Sequence, residues 1–329
     1  MARDSARKSR KELQFERKLS QRSGEKIGVK IGNFKLASPT MLASGILGIS
    51  FELFPRIVEC GAGAVVTKSI GLEPREGYSN PTIAAVEGGY LNAIGLANPG
   101  ITFFKEELEV YERTAAKKVP LIISIFADSA AGFAQLAGEL DPFTFLAIEL
   151  NLSCPHVKNV GSEIGTDPNE ASEIVREVKK RTSKPILAKM PAAITDVPEW
   201  ARSVERSGAD AIVAINTIRA MKIDIESRKP ILSNKIGGLS GPAIRTVAIR
   251  CVYEIYETVR IPVIGVGGVS TPNDAIEFLL AGATAVQVGS SISDPCFLEI
   301  FRRINDGLLA YMKRSGFKEI KELIGAAHS

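Results

Sequence analysis

Cysteine is scarce in this chain. The four present, Cys60, Cys154, Cys251 and Cys296, are scattered through 329 residues and form no CxxC pair. That spacing argues against an iron–sulfur cluster or a structural zinc held by this chain alone, and no metal site is expected. Long apolar runs are also missing. None approaches the ~20 residues that a membrane-spanning helix needs, and the N-terminus has no apolar core of a secretory signal. A cytoplasmic protein with reduced thiols is the expectation. Basic charge is sparse outside the N-terminus. The whole chain carries a formal +4, yet residues 1–30 alone hold ten Lys/Arg against four Asp/Glu, which leaves the rest slightly acidic. A nucleic-acid-binding face on the body is therefore not indicated. Residues 1–26 read as a basic, flexible extension and 27–329 as a single domain.

What is present is a regular alternation. Val29–Ile31 and Phe34–Leu36 flank Gly32-Asn33, a two-residue hairpin signal. Eight short apolar runs follow: Met41–Ala43, Ala64–Thr67, Leu121–Phe126, Leu146–Leu150, Ile186–Lys189, Ala211–Ile215, Val263–Val266 and Ala285–Val288. Most are apolar on both faces, as buried parallel strands should be. Helical patterns lie between most of them. Asp167-Pro168 and Thr271-Pro272 are helix starts, each a capping residue followed by proline at the first helical position. Eight β/α units predict a (β/α)8 TIM barrel, with the hairpin closing its bottom. A doubly wound open sheet is the alternative. Two connections, 69–119 and 218–241, are too long to be simple. Both follow strand C-termini, where barrels build their sites, so both are expected to be functional loops over that face.

The candidate chemistry sits at those strand ends. Strand seven ends in Gly267-Gly268 and strand eight in Gly289-Ser290. Glycines let backbone N–H groups approach an anion, and barrels commonly bind phosphate in these two loops. Lys68 ends strand two and Lys189 strand five. A lysine in an apolar strand is costly without a partner, so two of them imply an anionic ligand inside the mouth. A reduced flavin, negative around N1–C2=O, is one such ligand. Glu149 on strand four is the obvious structural partner for one of them. Asn92, Asn98, Asn151 and Asn216, the last beside Thr217, offer amides that are both donor and acceptor. Converging amides suit a planar ring of alternating C=O and N–H groups. Any one of them alone reads as a turn residue. Cys154 lies just past strand four in Asn-Leu-Ser-Cys-Pro-His. A thiolate there is a competent base once its pKa is lowered. Cys60 and Cys251 read as small core residues, and His156 as a loop residue.

These motifs together resemble the class 1 dihydroorotate dehydrogenases, most closely the catalytic subunits of class 1B. The resemblance runs from about residue 28 to the C-terminus. It rests on Ala43-Ser44-Gly45, Lys68-Ser69, Leu91 to Gly100, Asn151 to Pro155, Ile215-Asn216-Thr217, Gly237 to Ala243, Gly267-Gly268 and Gly289-Ser290. It implies oxidation of dihydroorotate to orotate with bound FMN. Ser44, Lys68, Ser69, Asn151, Lys189, Ile215, Gly241, Gly267, Gly268, Gly289 and Ser290 would line the FMN. Lys68, Asn92, Ala93, Ile94, Gly95, Leu96, Asn151, Asn216 and Thr217 would hold the substrate. Cys154 would take the C5 proton while a hydride leaves C6. Also implied are a homodimer within a heterotetramer and a partner subunit carrying FAD and a 2Fe–2S cluster, with NAD as acceptor. Three positions depart from the family pattern: Ile125, where Asn is frequent, Pro191-Ala192-Ala193 after the strand-five lysine, and His156. The last is shared with dihydropyrimidine dehydrogenases, the alternative reading.

Overall fold

The computed structural model describes residues 26–114, 119–153, 165–293 and 299–328. A hairpin of β1 (Val29–Ile31) and β2 (Phe34–Leu36) comes first, with Val29 opposite Leu36. Its turn residue Gly32 takes φ +54°, open to a residue without Cβ, and lies against Asp210 at the N-terminal end of a barrel strand. The hairpin therefore covers the bottom, as expected from the sequence. Then come β3 (Thr40–Leu42) and β4 (Ala64–Val66). The first long connection adds β5 (Ile83–Val86) and β6 (Gly89–Asn92). Next are β7 (Leu121–Ile125), β8 (Ala147–Asn151), β9 (Ile186–Lys189) and β10 (Ala211–Ala214). The second long connection adds β11 (Ile218–Ala220), β12 (Ile223–Asp224), β13 (Lys229–Pro230) and β14 (Gly237–Ser240). Finally β15 (Val263–Val266) and β16 (Ala283–Val288) complete the set.

Eight of these strands, β3, β4, β7, β8, β9, β10, β15 and β16, close into one parallel barrel in that order, β16 pairing with β3. This is the (β/α)8 architecture that the apolar runs predict, and the open sheet is ruled out. Their side chains are buried on both faces because helices pack outside. Those helices are α1 (Phe54–Glu59), α2 (Gly100–Thr114), α3 (Ala130–Leu140), α4 (Pro168–Lys179), α5 (Val197–Arg206), α6 (Arg245–Thr258), α7 (Pro272–Leu280) and α8 (Glu299–Ser315). Local chemistry sets their starts. Asp167 accepts from Asn169 N at 2.7 Å, and Asp196 from Glu199 N at 2.9 Å. Thr271 and Asp274 form a reciprocal capping box ahead of α7. Ile174 and Val178 on α4 are buried, and Trp200 on α5 is fully buried with its indole N–H donating to Gly165 O at 2.7 Å. One continuous core runs through hairpin, barrel and helices.

The two long connections do something that neither shows alone. Strands β11, β14, β6 and β5 pair antiparallel, in that order, into a second sheet. A small separate cluster of Leu91, Ala93 and Leu232 sits under it. Both connections leave from the C-terminal ends of barrel strands, so this sheet stands over the mouth. Among the described residues no helix is long and apolar enough to cross a membrane. Nor do His, Cys, Asp and Glu gather there into a metal-binding group.

Candidate active site at the barrel mouth

Five of the polar residues expected at the site are joined by one chain of hydrogen bonds. The Asn216 side-chain amide donates to Asn151 Oδ1 at 3.0 Å, and its own Oδ1 accepts from Thr217 N at 2.8 Å. The Asn151 amide donates to Ser69 Oγ at 3.2 Å. Ser69 Oγ lies 2.9 Å from Ser124 Oγ and 3.4 Å from Ser44 Oγ. The chain thus crosses the C-terminal ends of β10, β8, β4, β7 and β3. Apart from the adjacent Asn216 and Thr217, each member belongs to a different strand, so only closure of the barrel brings them together.

Ser124 was not among the sequence candidates. Its signal was a single polar residue inside Leu-Ile-Ile-Ser-Ile-Phe, at the alternation position that faces the barrel interior. The neighbouring Ile125, noted as a departure, is fully buried in the core. Ser124 is thus the β7 residue that meets the site.

The two lysines part company. Lys68 is half-buried, its backbone N–H tied to Gly48 O at 2.9 Å. Burial pushes its ammonium below the ordinary lysine pKa, and among the described residues no carboxylate counters it. It is the group ready to meet an anion. Gly48 is required there: a Cβ on it would lie 2.5 Å from Lys68 N. Lys189, by contrast, is 6% exposed and already partnered. Its Nζ donates to Glu149 Oε1 at 3.2 Å and to Gln287 Oε1 at 3.4 Å, while the Gln287 amide donates to the other Glu149 oxygen at 2.6 Å. The structural partnership with Glu149 is what the sequence suggested. Gln287 was missed.

The upper sheet reaches into the same place. The Asn92 amide donates to Gly238 O at 3.1 Å, and a Cβ on Gly238 would overlap the Thr217 side chain. Asn92 and Thr217 therefore flank one glycine. Ala93, Ile94, Gly95 and Leu96 behave differently. Ala93 N bonds Thr82 O at 2.7 Å, and Ile94 O accepts from Tyr78 N at 3.1 Å. Among the described residues no hydrogen bond joins these four to the amide chain. Asn98 is a correction. Its Oδ1 accepts from Gly71 N at 3.1 Å and Gly100 N at 2.9 Å, and its amide donates to Leu96 O at 2.9 Å. All three of these bonds go to the loop's own backbone.

On the opposite side the glycine loops meet. Gly267 and Gly268 have φ +132° and +76°, and a Cβ on Gly268 would lie 2.7 Å from Gly241 O. Backbone packs on backbone there, an approach that a Cβ would block. Ile215 is buried beside them, its N–H bonded to Val266 O at 2.9 Å. An open cavity of about 660 Å³ adjoins these loops, lined by Tyr90, Pro242, Ser270, Ser290, Ser291 and Arg303 among others. Gly289 lies on the other flank, where a Cβ would sit 3.6 Å from Ala43 Cβ. Cys154, His156 and Cys296 lie outside the described residues. Cys251 is a core residue, as read, and burial pushes its thiol pKa up. Cys60 is half-buried.

A closed parallel barrel with lysine, amide and glycine loops converging on its C-terminal face is a barrel enzyme in construction. The family model described as dihydroorotate dehydrogenase matches residues 26–312. A protein of Thermococcus kodakarensis named dihydroorotate dehydrogenase B (NAD(+)), catalytic subunit, is 47% identical over 92% of this chain and 98% of its own. Proteins of the same name from Pyrococcus horikoshii and Methanothermobacter thermautotrophicus are 46% and 47% identical, each over 91% of this chain and 97% of theirs. The chain belongs to the dihydroorotate dehydrogenase family.

Proposed function

We propose that the chain oxidises (S)-dihydroorotate to orotate in de novo pyrimidine synthesis, as the FMN-bearing catalytic subunit of a class 1B enzyme. One observation carries the reading most. Lys68, whose ammonium has no partner among the described residues, directly precedes Ser69 in the chain that joins the amides of Asn151 and Asn216, with Asn92 across from it. An anionic, planar ring with alternating C=O and N–H groups needs those partners. Lys68 would take its negative charge, and Asn92, Asn151, Asn216 and Thr217 its ring edge. Ala93 to Leu96 shape the rim beside them. The names of the relatives favour dihydroorotate over uracil-type rings.

The glycine loops fit FMN. Gly267, Gly268, Gly289 and Ser290 would hold its phosphate through backbone N–H groups, with Gly241 behind them. Ser44, Lys68, Ser69, Asn151, Lys189 and Ile215 would line the rest. When bound, FMN supplies a two-electron acceptor for the hydride at C6. Cys154, three residues after Asn151 in the chain, would remove the C5 proton as general base. Burial of the substrate beneath the upper sheet would exclude water from that exchange. We further infer a partner subunit with FAD and a 2Fe–2S cluster that passes electrons to NAD, a heterotetramer around a homodimer of this chain, and a cytoplasmic setting. The relatives' designation as catalytic subunits, and the lack of clustered cysteines here, support that division.

Purified protein should show flavin absorbance, and anaerobic dihydroorotate should bleach it where dihydrouracil does not. No bleaching by dihydroorotate would sink the proposal. Cys154→Ala should keep its FMN while turnover falls about 10²–10⁴-fold, the range for loss of a general base.

A further inference from the structure

Beneath the amide chain lies a second polar layer, in which only Lys189 has so far been given a role. Glu149, Lys189 and Gln287 come from β8, β9 and β16, three walls of the barrel. Glu149 and Gln287 are fully buried and Lys189 nearly so. Glu149 is two residues below Asn151 on the same strand, and Gln287 two below Gly289. Alternate residues, i and i+2, face the same side of a strand, so the layer lies directly under the mouth. The contacts are closed on one side. Both Glu149 oxygens are used, one by the lysine and one by the Gln287 amide, and the Gln287 carbonyl also accepts from the lysine. An ammonium has three N–H donors. Two are held within the layer, and one is left.

A fully buried ion pair is poor value for stability alone, since apolar residues of similar volume commonly do as well. Its worth here is different. A lone buried ammonium would impose a full positive charge on whatever sits above it. Paired with Glu149, it offers a fixed hydrogen-bond donor with little net charge. We propose that Glu149 and Gln287 are positioning residues that hold the Lys189 ammonium and offset its charge, and that they thereby set the reduction potential of the cofactor bound above. This rests on the FMN reading.

The test separates charge from shape. Glu149→Gln keeps the volume and one acceptor for Lys189 but removes the charge, and turns the acceptor that meets Gln287 into a donor. Glu149→Asp keeps the charge but shortens the side chain. The midpoint potential of the bound flavin is measured anaerobically against reference dyes at neutral pH. Glu149→Gln should favour the reduced form by at least tenfold, about 30 mV upward for a two-electron couple. Glu149→Asp should stay within threefold of the parent. A purely structural role would make the shorter aspartate the worse variant. Should Glu149→Gln not retain flavin, Glu149→Met, uncharged and of similar volume, carries the test and should favour the reduced form by a similar factor. An unmoved or lowered potential in Glu149→Gln overturns the proposal. So does an aspartate variant that shifts as far as the glutamine variant, or an unmoved Glu149→Met when that variant carries the test. A parent protein that holds no flavin would instead refute the reading beneath it, while a parent bleached by dihydroorotate leaves that reading standing whatever the variants do.

Discussion

The barrel wall and the sheet over its mouth are built on opposite rules. The wall is parallel, buried on both faces, and shares one core with its helices. The upper sheet is antiparallel, its outer strand β5 alternates exposed and half-buried residues, and among the described residues its own cluster holds three buried apolar residues. The wall holds polar groups in closed sets such as Glu149, Lys189 and Gln287. Among the described residues, the mouth keeps Lys68 without a partner. The difference teaches where the molecule stores stability and where it keeps freedom to bind. A ligand site needs unsatisfied groups and locally weak structure, and both are affordable only on a scaffold that does not depend on them.

The comparison can be broken at the wall first. Trp200→Ala removes the largest fully buried side chain together with its bond to Gly165, and should destabilise the whole protein by about 3–5 kcal/mol. Denaturant melts followed by two probes should fall together. Separate transitions would show that wall and upper sheet unfold independently even from this side. Next in size, Leu232→Ala should cost about 2 kcal/mol, at the low end for a buried leucine. That loss should appear as faster amide exchange in β6 and β14, with β7 and β8 still protected. Equal loss of protection in the barrel would mean one cooperative unit and end the contrast. The smallest effect concerns charge. Burial lowers the Lys68 pKa, so the unfolded chain binds more protons in the window between that lowered value and the ordinary lysine value. Stability rises with pH across that window, and below it the charged lysine is a cost. Lys68→Met should therefore be slightly more stable than the parent at neutral pH, with the margin shrinking as pH rises toward the ordinary lysine value. A margin constant with pH, in melts taken at several pH values, would show that packing and not charge distinguishes the two.

Much of this was legible because buried parallel strands write themselves as short apolar runs. All eight runs became barrel strands, and Asp167-Pro168 and Thr271-Pro272 became capped helix starts. The lysines were legible as anomalies, and Glu149 as a partner, because a charge in an apolar strand must be answered. Gln287 was not, since an uncharged amide among valines raises less alarm, and its two partners come from strands far away in the chain. Asn98 misled for a related reason. An amide that binds backbone and one that binds a ring carry the same letter, and only the positions of Gly71 and Gly100 tell them apart.

By itself, then, the sequence determined the periodic elements, the turn chemistry and the types of group available at each strand end, because these depend on neighbours within a few residues. Tertiary structure alone decided which groups meet. It paired β6 with β14 across some 150 residues of chain, joined Asn216 to Asn151 and Ser69, and made one lysine a component of the wall while leaving the other open. Hydrogen bonds and ion pairs act over about 3 Å, a distance that residue spacing along the chain does not encode until the barrel closes.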